Sequence, residues 1–341
     1  MSYSIVPIRT HRGREQVNAL LAQEGIRPDP HLDYTCAMLD SDDQIAAAGS
    51  CFGNTLRCIA VSAAHQGEGL LGPLLTHLTQ VQYQRGNYHL FLYTKVQTAP
   101  FFRDLGFYEI ARAKDTLVFL ENRKNGFPGY LDKLARTRRD GRSAAIVMNA
   151  NPFTLGHQYL VERAAAENDT VHVFVLSEDA SVFPFSVRWR LVREGTAHLP
   201  NVVCHESGPY IISSATFPSY FLKDEAAVAA GQAQLDLAVF CRIAQALGVT
   251  RRYVGEEPIS QVTNLYNRIM TAQLPEAGID CTVVPRREWG GGVISASEVR
   301  RRIRDGGPLE PLVPPVTWAY LHAPEAGPVL AALRTAGDVT H

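Results

Sequence analysis

From residue 144 onward this 341-residue chain repeats one pattern: an apolar strand, a turn and an amphipathic helix. Residues 144–148 form an uninterrupted apolar run. A turn holds Asn149 to Gly156, and a helix begins near His157 with Leu160, Val161, Ala164 and Ala165 on one face. Further strands are expected over 171–176, 202–204, 252–254 and 282–284, alternating with helices over 187–197, 233–247 and 295–304. Strands apolar on both faces and joined by helices fit a parallel sheet wrapped on both sides, a Rossmann-like α/β domain.

Upstream the pattern is mixed. Strands are expected over 44–48, 55–61, 89–94 and 117–120, with a short helix over 100–105. A Gly-rich turn, HQGEGLLG over 65–72, runs into a helix carrying Leu74, Leu75, Leu78 and Val81 on one stripe. The seam between the two patterns is 121–143, with seven Lys or Arg against three acids and Gly126, Pro128, Gly129 and Gly141 as breakers. It reads as a solvated connector with one short helix around 131–138, or as a basic surface for an acidic partner. The expected division is a domain over 1–122, a basic linker over 123–142 and a domain over 143–341, and the length suits two domains.

Composition excludes several classes. With 46% hydrophobic and 20% charged residues the chain is an ordinary globular one, and its net charge of -1 gives no basic excess for nucleic acid. No apolar run reaches the roughly 18 residues that span a bilayer. The first residues, MSYSIVP, lack a basic segment followed by an apolar one, so export is not expected and the chain is placed in the cytoplasm. Cys36, Cys51, Cys58, Cys204, Cys241 and Cys281 are scattered without a CxxC pair, which argues against a zinc site and against a disulfide framework. No metal ligands are assigned.

The turn Asn149-Ala150-Asn151-Pro152-Phe153-Thr154-Leu155-Gly156 is the richest stretch. A strand-to-helix turn of this kind aims backbone N–H groups and the positive end of a helix dipole at one point on the carboxyl edge of the sheet, where anions bind. Gly156 is expected to let a ligand approach the backbone closely. His157, in the first helical turn, is placed either to cap the helix or to donate to a phosphoryl oxygen as charge develops. A second constellation, Ile294-Ser295-Ala-Ser297-Glu298-Val-Arg300, reads as a capping box between Ser295 and Glu298. Its two hydroxyls, free helix N-terminus and Arg300 also make a phosphate cradle. Arg301, Arg302 and Arg304 are read as surface charges.

Together these motifs resemble the nucleotidyltransferase superfamily with H-x-G-H and I-S-x-T/S-x-x-R signatures, with Thr154 in place of the first histidine. The strings NANPFTLGH, YIISSATFPSYFLKD (210–224) and YVGEEPISQVTNLYN (253–267) narrow the match. They resemble the citrate (pro-3S)-lyase ligase family over nearly the whole chain, and TLGH is the usual form there. The resemblance implies that ATP and acetate form acetyl-AMP and pyrophosphate. The acetyl group then passes to the thiol of the dephospho-CoA-derived prosthetic group on the citrate lyase acyl carrier subunit. It implies His157 and Thr154 at the α-phosphate, Ser295, Ser297 and Arg300 on the leaving phosphates, and Lys223 as a further neutralising cation or a surface lysine. Asn149, Ala150, Asn151, Phe153, Gly156 and Ile294 would border ATP, with Gly255 and Glu256 beside the adenosine. Mg²⁺ is expected with the triphosphate, held by phosphate and water.

In the first half, Gln66-Gly67-Glu-Gly69-Leu-Leu71-Gly72 and the later FFRDLGF (101–107) resemble a GNAT-type acetyltransferase domain of α+β fold, in which the turn holds the diphosphate of coenzyme A. The signature R/Q-x-x-G-x-G/A is met at Gln66 and Gly69 and broken at Leu71. Phe102 stands where many members carry a tyrosine, so Tyr93 or Tyr108 would have to substitute. The expectation is that Gln66, Gly67, Gly69 and Gly72 dock the CoA-like arm. Two rival functions share the motifs: a nucleotidyltransferase acting on a phosphorylated acceptor, and a non-catalytic sensor of ATP or a CoA derivative.

Overall fold

A computed structural model describes residues 3–179, 181–212, 217, 220, 225–256 and 261–335. The chain forms two compact units, one of Met1–Tyr130 with Thr216–Ala238, the other of Leu131–Ala215 with Val239–His341.

The first unit holds β1 (Ser4–Pro7), α1 (His11–Gln23), β2 (Tyr34–Leu39), β3 (Ile45–Phe52), β4 (Thr55–Val61), α2 (Leu71–Gln84), β5 (Phe91–Lys95), α3 (Ala99–Asp104), β6 (Tyr108–Ala113) and β7 (Leu117–Glu121). α4 (Gly126–Ala135) follows, earlier than the helix expected over 131–138. The sheet order is β1-β2-β3-β4-β5-β7-β6. One face packs on Leu74, Leu75 and Leu78 of α2, the other on Val17, Leu20 and Leu21 of α1. β4 and β5 are parallel neighbours, yet they pair only at Thr55–Phe91 and Leu56–Leu92. Cys58 has φ +50, and the β3–β4 register shifts between Ala48 and Ser50, the mark of a β-bulge that turns β4 away from β5. The strands splay beyond it, and a cavity of about 500 Å³ opens there, lined from both edges by Cys58–Val61 and Tyr93–Lys95.

The second unit holds β8 (Ser143–Met148), α5 (Leu155–Glu167), β9 (Thr170–Val175), α6 (Phe185–Gly195), β10 (Val202–Glu206), residues 239–247 of α7 (Glu225–Leu247), β11 (Arg251–Gly255), α8 (Gln261–Gln273) and β12 (Asp280–Val284). The hairpin β13 (Glu288–Trp289) and β14 (Gly292–Val293) follows, then α9 (Ala296–Asp305), α10 (Pro315–His322) and α11 (Gly327–Thr335). Five parallel strands run in the order β10-β9-β8-β11-β12, so the winding reverses between β8 and β11. Open α/β sheets bind ligands beyond the carboxyl ends of the strands at such a reversal. The turn 149–156 leaves β8 at that edge, and Gly255 ends β11 beside it. No helix among the described residues is long and apolar enough to cross a membrane.

Candidate active site

Thr154 is the N-cap of α5. Its backbone N–H donates to Nδ1 of His157 at 3.1 Å, its Oγ1 lies 2.9 Å from the same nitrogen, and that Oγ1 accepts the backbone N–H of His157 at 3.3 Å. This reciprocal box fixes the imidazole. A backbone N–H can only donate, so Nδ1 accepts and the neutral ring carries its proton on Nε2. Phe153, wholly buried, stacks on the ring at 5.9 Å and 16°. Burial, reinforced by the charge of Arg286, holds the His157 pKa down to about 4, so the ring is neutral at physiological pH. The two roles open for His157, helix cap and phosphoryl donor, are therefore compatible: one nitrogen caps and the other keeps its proton for a ligand.

Arg300 brings the second motif to the first. It is 6% exposed and its Nη1 donates to the carbonyl of Asn151 at 2.6 Å, while Nη2 donates to Oγ of Ser297 at 3.2 Å. Its Nε is buried without a hydrogen-bond partner, and burial lowers its pKa. Arg300, expected on the leaving phosphates, thus spends two nitrogens clamping the 149–156 turn to α9. Gly156 has a related role. A Cβ there would lie 2.7 Å from the carbonyl oxygen of Ile294, so the glycine admits the second motif's backbone rather than a ligand. Ser295 caps α9 by accepting the N–H of Glu298 at 3.1 Å, but the Glu298 side chain does not close the expected box. Its carboxylate takes Arg301 and Arg302, each at 2.7 Å, and these bonds hold its pKa down to about 2. Those two arginines are surface charges, as read.

The remaining turn residues are backbone framework. Ala150 sits at φ +52, a left-handed conformation that a non-glycine residue adopts at a cost of about 1 kcal/mol or more. The Oδ1 of Asn151 accepts the N–H of Phe183 at 3.0 Å, and the carbonyl of Phe153 accepts Oγ1 of Thr317 at 2.8 Å. Phe153, expected to border ATP, offers its side chain to the core and to His157. Asn149 bonds Ser181 and Arg188. Arg188, which sequence reasoning passed over, is wholly buried and donates to the carbonyls of Asn149 at 3.0 Å, Leu176 at 2.7 Å, Phe183 at 2.9 Å and Glu178. It ties the ends of β8 and β9 together. Its signal was a lone charge in the apolar stripe Phe185, Arg188, Leu191, Val192 of α6.

At the end of β11, the carbonyl of Gly255 accepts from Asn267 at 3.1 Å and the N–H of Glu256 donates to Val284 at 2.9 Å. Glu256 is exposed and lines an open cavity of about 750 Å³ with Asn264, Asn267 and Arg268. Lys223 lies outside the described residues.

In the first unit, Gln66, Gly67 and Gly69 line the cavity between β4 and β5, with Gly67 at φ +89 and Gly69 at φ +74. Gly72 is not among its lining residues and faces Leu105. Phe102 and Tyr93 both line it, whereas Tyr108 stands elsewhere, 40% exposed on β6. A carboxylate, Glu24, also lines it; nothing in the sequence had singled that residue out.

The family model for the citrate lyase ligase C-terminal domain matches residues 143–321. The [citrate (pro-3S)-lyase] ligase of Klebsiella pneumoniae is 40% identical over 319 residues, covering 90% of this chain and 92% of that one. The protein of the same name from Haemophilus influenzae is 37% identical, covering 89% and 94%. An acyl-CoA N-acyltransferase structure from Pseudomonas aeruginosa, 12% identical, is matched over 36% of this chain and all of that one, with a TM-score of 0.32. With these identities over nine-tenths of its length, the chain belongs to the citrate (pro-3S)-lyase ligase family.

Proposed function

We propose that this chain is an ATP-dependent acid–thiol ligase that activates citrate lyase by acetylating its acyl carrier subunit. The observation that carries the reading is His157, neutral and locked as the Nε2–H tautomer at the point where the sheet's winding reverses. An acetate oxygen attacks the α-phosphorus of ATP in line, the bond to the bridging oxygen breaks, and pyrophosphate leaves. The Nε2–H of His157 donates to an α-phosphoryl oxygen as charge builds there, in the positive field at the N-terminus of α5. Thr154 orients His157. Ser295, Ser297 and the N-terminus of α9 meet the leaving phosphates, and Arg300 positions α9 against the turn. Among the described residues no group of three or more His, Cys, Asp or Glu gathers as a metal cage. A Mg²⁺ accompanying the triphosphate would be held mainly by phosphate oxygens and water and would neutralise charge there.

In the second half-reaction the thiolate of the carrier's prosthetic arm attacks the acetyl carbonyl, a thioester forms and AMP leaves. The cavity between β4 and β5 receives that arm. Phe102 at its wall suits this direction of chemistry, because the thiol is the acceptor and needs no proton from a tyrosine. The test is to incubate the protein with ATP, labelled acetate and deacetylated carrier subunit. Label should enter a hydroxylamine-sensitive thioester with one AMP per acetyl group, and ADP as the product would overturn the reading.

A further inference from the structure

The turn that leads into α2 is closed by an acid of the chain itself. Glu24, the residue after α1, accepts the backbone N–H of Ala63 at 3.0 Å and Nε2 of Gln66 at 3.3 Å. Two more carboxylates crowd the same turn: Glu68 accepts the hydroxyl of Tyr3, and the His65 ring lies 3.6 Å from Asp40 and 3.5 Å from Glu68. Of the cavity's cations, Arg57 is committed to Asp29 at 2.7 Å. Among the described lining residues Lys95 is the other Lys or Arg, its Nζ near Gly25. The rest of the lining is apolar or hydroxylic: Ile26, Leu56, Tyr93, Thr98 and Phe102.

Resting on the reading that this cavity takes the carrier's arm, we propose that Glu24 is a specificity-determining residue that admits the uncharged pantetheine end and keeps the diphosphate out of the turn. An anion-binding turn works by offering unspent N–H donors and a positive field. Here Glu24 takes the Gln66 side-chain amide and the Ala63 N–H just ahead of the turn, and a diphosphate entering the turn would meet the charges of Glu24, Asp40 and Glu68, which repel it. A neutral thiol-bearing chain meets no such penalty. The cavity would then select a pantetheine chain presented on a partner, with the diphosphate left in solvent, over a free nucleotide-linked thiol.

The experiment titrates the full chain calorimetrically with pantetheine and, separately, with dephospho-CoA, in the wild type and in Glu24→Gln and Glu24→Ala. Glu24→Gln keeps an acceptor for the Ala63 N–H and removes only the charge. The wild type should bind pantetheine at least as tightly as dephospho-CoA. In both variants the affinity ratio should move toward dephospho-CoA by about tenfold, an effect that added salt erodes. A ratio that moves less than about threefold in both variants, or a wild type that prefers dephospho-CoA, overturns the proposal while leaving the cavity as the arm's site. If neither ligand binds the wild type, the assignment of the cavity to the arm fails, and the proposal with it.

Discussion

The two units each send a strand into a turn before a helix, and the two turns carry opposite electrostatics. After β8 the turn is tied by cations: Arg188 on the carbonyl of Asn149, Arg300 on that of Asn151. After β4 the turn is tied by acids, Glu24 on Ala63 and Gln66. Guanidinium groups on backbone carbonyls add positive field for an anion. A carboxylate holding the Ala63 N–H and the Gln66 side-chain amide sets a negative field against an anion. A Gly-rich approach to a helix is thus only a frame, and side chains remote in sequence decide its ligand.

The largest effect that this contrast predicts is at Arg300. Arg300→Leu strands the buried carbonyl of Asn151 and frees α9 from the turn. It should cost about 3 kcal/mol of stability in denaturant unfolding and lower adenylation roughly a thousandfold. His157→Ala removes both the cap and the Nε2–H donor. Pyrophosphate exchange should fall about 10²–10³-fold while stability drops only about 1 kcal/mol, a split that separates the donor from the cap. A ligand-sensing module would tolerate this change. Gly156→Ala drives a Cβ to 2.7 Å from the carbonyl of Ile294, so the two motifs must part. We expect a cost of about 2 kcal/mol and a rate loss of about tenfold to a hundredfold, with the loss in kcat greater than in KM.

A smaller effect comes with pH. Burial holds His157 and His172 to about 4, and burial with the neighbouring His172 holds His205 to about 3, all below the ordinary 6.5. His172 and His205 share a hydrogen bond of 2.8 Å inside the β9–β10 pair. The unfolded chain takes up these protons near pH 6.5 and the folded chain refuses them. Stability is therefore complete above pH 6.5 and falls as pH drops toward 4. Unfolding across pH 7.5–4.5 should show this slope, and His205→Gln should reduce it. Adenylation itself should stay level down to about pH 5 because His157 is already neutral. The smallest effect is at the cap: Thr154→Ser should keep the box and nearly full rate, whereas Thr154→Ala should cost about 1 kcal/mol and several-fold in rate.

Much of this was legible in the residues. The apolar runs at 144–148 and 171–176 and the periodic stripe from Leu160 to Ala165 define the parallel sheet, because burial on both faces leaves no other pattern. Thr154 and His157, three apart at a helix start, were readable as a unit. The edge strands β1 and β6, and β2 beside β1, were not, since short half-exposed strands such as Ser4–Pro7 carry little alternation. Arg188 and Glu24 escaped for another reason. Each acts through backbone groups tens of residues away, Arg188 on Asn149 and Glu24 on Ala63, and one sequence does not encode that separation locally. Glu298 looked like half of a capping box, yet two arginines on its own helix outcompeted a backbone N–H for its carboxylate.

The central claim is that the cation-tied turn after β8 transfers adenylyl from ATP to a carboxylate. Exchange of labelled pyrophosphate into ATP, measured with Mg²⁺ and no carrier subunit, tests it directly. The account predicts exchange that requires acetate and collapses in His157→Ala; exchange that ignores acetate and requires a phosphorylated acceptor, or that survives in His157→Ala, would contradict it.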